Sequence, residues 1–206
     1  MYMNKHHIHH TSIQAASISE TSQIKVVKKE KMTEIVATNS ENKDEKLIFF
    51  YHSNHCLSNF YKCNFTVDGK CFTSTEQYFH FKKATLFKDG NMARNILATE
   101  NPMTQKICGR RVKNVDVKIW DSVRYSIMTT GLFAKFSQNQ KLKNYIVRQY
   151  CDCQSVRFVE ASPYDTLWGI GLNMYHPDIY IPSKWRGQNL LGSCLDDVRK
   201  KLSEQK

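Results

Sequence analysis

NFTVDGKCFTSTEQYFHFKKATLFKDG, residues 64–90, is the stretch that decides the fold. Asn64–Thr66 and Cys71–Thr73 flank Val67-Asp68-Gly69-Lys70, and Asp-Gly between two short apolar runs is the pair that a tight hairpin turn requires. Ser74 follows at once, with Gln77 three residues on, the spacing of a capping box. This predicts a helix from Ser74 through Lys83 to about Lys88, stopped by Asp89-Gly90.

Outward from that unit, Leu47–Tyr51 (LIFFY) reads as a buried strand and Ser155–Ala161 (SVRFVEA) as an alternating one. Helices are predicted over 91–99, from Pro102 to near Gly109, over about 117–136, over 140–149 and over 189–202. In the fourth, Trp120, Val123, Ile127 and Met128 recur at helical spacing, and Gly131 is the weak point that could mark a break. Residues 162–182 carry three of the four prolines plus Gly169 and Gly171 and must be largely loop. The fold class is α+β: a single helix-rich domain with a small antiparallel sheet.

The 206 residues suffice for one domain plus a tail. Residues 1–46 lack glycine and proline and are poor in aromatics, so the reading assigns them to a disordered N-terminal tail, dispensable for catalysis, and residues 47–206 to the domain. Of the net charge of +11, all but one unit falls on the domain, an excess suited to polyanions such as nucleic acid, dinucleotides or pyrophosphates, or simply to solubility. Seven cysteines, with no apolar leader or run long enough to span a bilayer, point to reduced thiols and an intracellular protein of cytoplasm or nucleus.

Three constellations carry candidate chemistry. Glu76, His80 and Lys83 fall within about 60° of one another on one helix face. Glu76 lies in the first turn, where the helix dipole favours negative charge, and the Lys83 side chain leans back toward it. The alternative is a solvated face with a surface ion pair. Asp165-Thr166-Leu167-Trp168-Gly169-Ile170-Gly171 offers an indole face and close backbone approach, or else a turn capped by Asp165. Gly109-Arg110-Arg111, Trp120 with Arg124, and Trp185-Arg186-Gly187 alternate basic and aromatic residues, although Trp120 by spacing alone belongs to the core. His52, His55 and Cys56 lie close together, and Cys151 and Cys153 form a tight pair, but neither set has the spacing of a zinc site; the clustered His6, His7, His9 and His10 have nothing nearby to fix a geometry. No metal and no cofactor are expected.

Taken in order, these segments resemble the NADAR family, the YbiA-like proteins associated with NAD and ADP-ribose metabolism. The matching pieces are Leu57-Ser58-Asn59-Phe60, Asp68-Gly69, Glu76-Gln77-Tyr78 with Lys83-Ala84, Gly109-Arg110, Trp120, Lys135-Phe136, Glu160-Ala161, the Asp165–Gly171 segment, and Trp185-x-Gly187-x-Asn189-x-Leu191-Gly192. They run from about residue 48 to 202. The resemblance implies N-glycosidase chemistry, with removal of ADP-ribose from guanine bases in DNA or nucleotides as the leading expectation. The alternatives are cleavage of riboflavin-biosynthesis intermediates and a non-catalytic ADP-ribose- or NAD-binding module. Glu76, Trp120, Asp165 and Trp168 match residues associated with activity in the family, and Lys83 matches the lysine of the same helix. His80 stands where an amide or apolar residue is expected and takes no family role. The candidate catalytic residues are thus Glu76, Lys83 and Asp165, and the candidate substrate-binding residues Asn59, Phe60, Arg110, Trp120, Trp168, Gly169, Gly171 and Asn189. The expected partners are ADP-ribosylated guanine and the ADP-ribose product, with no membrane, and the expected state is a monomer. Cleavage develops positive charge at the anomeric carbon, which a carboxylate can stabilise, or which a neutral lysine amine can attack to give a Schiff base.

Overall fold

A computed structural model describes residues 25–29, 32–148 and 155–205. The predicted hairpin is present as β4 (Phe65–Val67) and β5 (Lys70–Phe72), paired antiparallel, with Asp68 and Gly69 at φ 51° and 73° in the double left-handed turn that Asp-Gly favours. Directly after it, α1 (Thr75–Leu86) starts on the Ser74 hydroxyl, which accepts the Gln77 N–H at 3.0 Å. The Gln77 carboxamide oxygen reaches back to the Thr73 N–H at 2.8 Å, one residue earlier than a regular capping box. Then follow α2 (Gly90–Leu97), α3 (Pro102–Arg110), α4 (Val117–Gln138) and α5 (Gln140–Arg148). The chain closes with α6 (Leu190–Ser203). α4 runs unbroken through Gly131, as one helix over the predicted span. The glycine is there for packing, since a Cβ would stand 2.4 Å from the Tyr78 ring.

The main sheet corrects two expectations. Residues 25–29 form β1 and Met32–Thr38 form β2, both inside the segment assigned to a tail, and β3 (Glu45–Phe50) begins there too. β2 buries Ile35 and Ala37 in the domain core, so this part of residues 1–46 is not a disordered tail. The strand order is β1-β2-β3-β6, with β6 at Ser155–Glu160. β1-β2-β3 pair antiparallel, but β3 and β6 run parallel in register from Glu45↔Ser155 to Phe50↔Glu160, so the sheet is mixed rather than antiparallel. The parallel pairing follows from the long α1–α5 excursion between them, which returns the chain to the same end of the sheet.

That arrangement explains the uninterrupted LIFF run. Leu47 and Phe49 pack on one face, with Ile170, Leu172 and Ile179 of the 162–189 loop. Ile48 and Phe50 pack on the other, with Phe158 and the inner faces of α4 and α6. A strand buried on both faces has no polar alternation to show. A third apolar cluster joins the hairpin to α1, α2 and α4. The loop itself contains two short 3₁₀ turns at Pro177–Tyr180 and Pro182–Lys184. Among the described residues no helix is long and apolar enough to cross a membrane. His6, His7, His9, His10, Cys151 and Cys153 lie outside the described residues.

Candidate active site

Three segments distant in sequence converge at the C-terminal end of β6. The first is the loop 52–60 after β3. Its Asn59 carbonyl accepts the Glu76 N–H at 3.1 Å, which fastens it to the N-terminus of α1, and its Ser58 carbonyl accepts the buried Lys135 ammonium at 2.8 Å. The second is α1, tied through the Gln77 amide to α2 and the turn after it, by donation to the carbonyls of Ile96 and Thr99. The third is β6 and the loop after it. There Asn189 spans the strand end, accepting the Glu160 N–H at 3.0 Å and donating to the Phe158 carbonyl at 2.8 Å. Asp165 caps its own turn by accepting the N–H groups of Leu167 (3.0 Å) and Trp168 (2.7 Å).

Between them lies an inner cavity of about 100 Å³, walled by Asn59, Phe60, Glu76, His80, Glu160, Asp165 and Trp168, with Ser58, Phe79, Lys106 and Met128. It opens into an outer chamber of about 380 Å³, which shares Ser58, Phe60, Lys106, Glu160 and Asp165 and adds Tyr51, His52, Ser53, Met103, Arg110, Ser162 and Tyr164. The inner wall carries three carboxyl groups, and the outer chamber carries two cations and four aromatic or imidazole rings. That polarity suits a ligand with an electron-poor reacting centre inside and a phosphorylated, ring-bearing portion outside.

Glu160 is the group that sequence reasoning missed. The residue is half-buried, and desolvation pushes its carboxyl up to about 8, with the nearby charges of Asp165 and Glu76 adding to the effect and Lys106 opposing it. Its Oε2 and the Asn59 Oδ1 are buried without a hydrogen-bond partner among the described residues, two polar atoms prepared for something the cavity receives. Within the sequence, Glu160 was a position of an alternating strand and, with Ala161, a piece of the family resemblance to which no role was given. Only the parallel pairing that ends β6 beside α1 makes it part of a site. His80, which took no role, lines the cavity, and its Nε2 lies 2.9 Å from Glu76 Oε1. Its ring also presses on Gly109, where a Cβ would stand 1.9 Å from Nδ1, so α3 can approach α1 only with glycine there.

The other expected residues divide. Glu76, Asp165, Asn59, Phe60 and Trp168 line the inner cavity and Arg110 the outer chamber. Lys83 lines neither. His80 occupies the place beside Glu76, and the Lys83 ammonium instead donates to the Gly109 carbonyl at 3.3 Å and lies 5.6 Å from the Trp120 ring centroid. Desolvation lowers its pKa, and among the described residues it makes no ion pair. Trp120 is buried behind the wall, 4.9 Å from Phe79, which in turn meets Trp168 edge-on at 5.3 Å; it backs the cavity and does not line it. Gly169 packs against the Glu160 carbonyl, and Gly171, at φ 69°, against Arg186; both shape the loop without lining either chamber. Asn189 likewise acts on the Glu160 backbone and not in the cavity. Trp185 donates its indole N–H to the Ile179 carbonyl, a loop contact.

The fold is of the α+β class, and its carboxyl-rich cleft has the make-up of an enzyme site. Residues 48–203 match the NADAR domain, and the chain belongs to the NADAR family. Protein irg-1 of Caenorhabditis elegans is 34% identical over 179 residues, covering 79% of this chain and 82% of that protein. N-glycosidase R617 of Acanthamoeba polyphaga mimivirus is 35% identical over 166 residues, covering 75% of this chain and 95% of the relative. The NMR structure of the Escherichia coli protein YbiA superposes with a TM-score of 0.62 at 27% identity, covering 77% of this chain and 86% of that one. This kinship supports N-glycosidase activity in general terms.

Proposed function

We propose that this protein hydrolyses the N-glycosidic bond between ADP-ribose and a guanine base. The observation that carries the reading is Glu160: a carboxyl group protonated near neutral pH, sharing a small cavity with two further carboxyl groups. Hydrolysis of a ribosyl–nitrogen bond needs a proton for the departing base, stabilisation of positive charge at the anomeric carbon, and a base for the attacking water. In this proposal Glu160 donates the proton. Glu76, steadied by His80, and Asp165, fixed by its turn, face the developing charge and take a proton from water. The products are ADP-ribose, which gains the hydroxyl, and the free guanine, which gains the proton. Trp168 and Phe60 hold a ring at the inner cavity. Lys106 and Arg110 suit the pyrophosphate, and Tyr51 and Tyr164 suit the adenine.

A second route serves the same reaction. The Lys83 amine is desolvated and lies one turn beyond His80 on the same helix. After a swing away from Gly109 the neutral amine can attack the anomeric carbon and expel the base, which takes a proton from Glu160. The resulting glycosylamine opens its ring as the amine proton passes to the ring oxygen, and water hydrolyses the imine so formed to free ADP-ribose and the amine.

The test incubates the protein with ADP-ribosylated guanosine, alone and within an oligonucleotide, and with the ribosylated pyrimidine intermediate of riboflavin synthesis. Free ADP-ribose with regenerated guanine supports the proposal. Release of ribose phosphate from the pyrimidine alone moves the activity to that class. Tight binding of ADP-ribose without turnover of any substrate identifies a binding module and refutes the enzyme.

A further inference from the structure

Glu34 stands on β2, ahead of residue 48 where the NADAR match begins. Its carboxylate is buried, and a single oxygen, Oε2, receives two donors: the His55 ring at 3.3 Å and the Tyr145 hydroxyl of α5. The other nitrogen of His55 holds the chain itself. Nδ1 accepts the Leu57 N–H at 3.2 Å, which leaves Nε2 as the protonated nitrogen that donates to Glu34. The His55 carbonyl accepts the Ser58 N–H at 2.9 Å, and the ring stacks on Phe50 at 5.5 Å. Past this anchor the same loop supplies Ser58, Asn59 and Phe60 to the inner cavity.

We propose that Glu34 is a positioning residue for the cavity: through His55 it sets the 55–60 loop, so strand β2 governs turnover without lining either chamber. The inference rests on the cavity being the glycosidase site. A buried carboxylate is a poor device for stability alone, because well-packed apolar residues commonly replace buried ionic pairs at no loss. What the carboxylate adds here is direction, since one oxygen fixes the ring that fixes the loop. A catalytic wall displaced by about 1 Å loses on the order of 100-fold in rate.

The test compares the full chain with Glu34→Gln, Glu34→Leu and Tyr145→Phe. Readouts are kcat and KM on ADP-ribosylated guanosine, and amide hydrogen exchange of residues 55–61 against α6 as reference. Gln keeps one oxygen able to accept both donors and is expected within about threefold of wild type. Leu fills the space without an acceptor. It is expected to lower kcat at least about tenfold with KM within twofold, and to speed exchange at 55–61 but not in α6. Tyr145→Phe leaves the His55 contact and should behave like Gln. Wild-type turnover in Glu34→Leu overturns the proposal, as do equal losses in Leu and Gln or faster exchange spread through α6. If Glu34→Leu does not fold, Glu34→Ala takes its place, and failure of both assigns Glu34 to the fold and overturns positioning. If the wild type turns over no N-glycoside, the proposed function fails, while the exchange comparison still decides the coupling of Glu34 to the loop.

Discussion

Replacing Glu160 by Gln keeps the side-chain volume and removes the one group whose ionisation the cavity resists most. In the folded protein its carboxyl titrates at about 8 against an ordinary 4.5, so the native state binds the proton more tightly than the unfolded chain. The sign follows: the stability Glu160 allows is fully present below about pH 4.5 and is lost as pH rises toward 8, because the folded protein must then hold a buried charge. At 1.36 kcal/mol for each unit, the whole interval sets an upper limit of about 5 kcal/mol, and water entering the cavity brings the expected difference to about 2 kcal/mol. Glu160→Gln should therefore match wild type in Tm near pH 5 and exceed it by about 4–8 °C near pH 8.5. Asp196, pushed to about 7 by burial, titrates in both proteins and cancels in the comparison. Turnover should move the other way. The variant loses its proton donor and at least about 100-fold in kcat, and the wild-type fall of kcat/KM above about pH 8 disappears with it. A Tm difference that stays constant from pH 5 to 8.5 would refute the buried, protonated carboxyl. A variant that turns over normally would remove Glu160 from the chemistry.

Glu76→Gln preserves size and the contact with His80 but not the charge. It should cut kcat at least about 100-fold with little change in ADP-ribose affinity by calorimetry, and near-full turnover would put the site elsewhere. Trp168→Ala should weaken ADP-ribose binding by about 1–3 kcal/mol, the worth of one stacked ring, while unchanged affinity in a folded variant returns Trp168 to the loop. Borohydride added during turnover separates the two chemical routes. The carboxylate route predicts no adduct, and a reduced, stable adduct at Lys83 would transfer the covalent role to its amine.

The hairpin and α1 were legible because local chemistry dictates them: Asp68-Gly69 requires left-handed backbone at both positions, and Ser74 with Gln77 satisfies the first N–H groups of the helix. β1 and β2 were not, although Glu34-Ile35-Val36-Ala37 carries β-branched residues of strand type. Composition averaged over 46 residues drowned that short run, and its burial comes from pairing with β3, a non-local contact that no window contains. At Gly131 the helix was predicted to continue, with the glycine as its weak point. Its propensity argued for a break, and the Tyr78 ring resting on it argued for continuity and prevailed.

The site was half visible for a related reason. Glu76 and His80 are four residues apart on one helix, so helical geometry alone brings them together. Lys83 shares that face as well, yet a shared face states only direction; the closeness of α3, made possible by Gly109, decides that the ammonium meets a carbonyl and not a carboxylate. Glu160 shows the converse. Nothing within Ser155–Glu160 marks its last residue as different from Glu45 or Glu34. The difference is made by Asn189, which pins the strand end from 29 residues away, and by Asp165 and Glu76, which bring two more negative charges to the same cavity. A proton held near neutral pH is thus a property of the assembled fold and not of any motif, which is why Glu160, quoted with Ala161 in the family resemblance, received no role from the sequence.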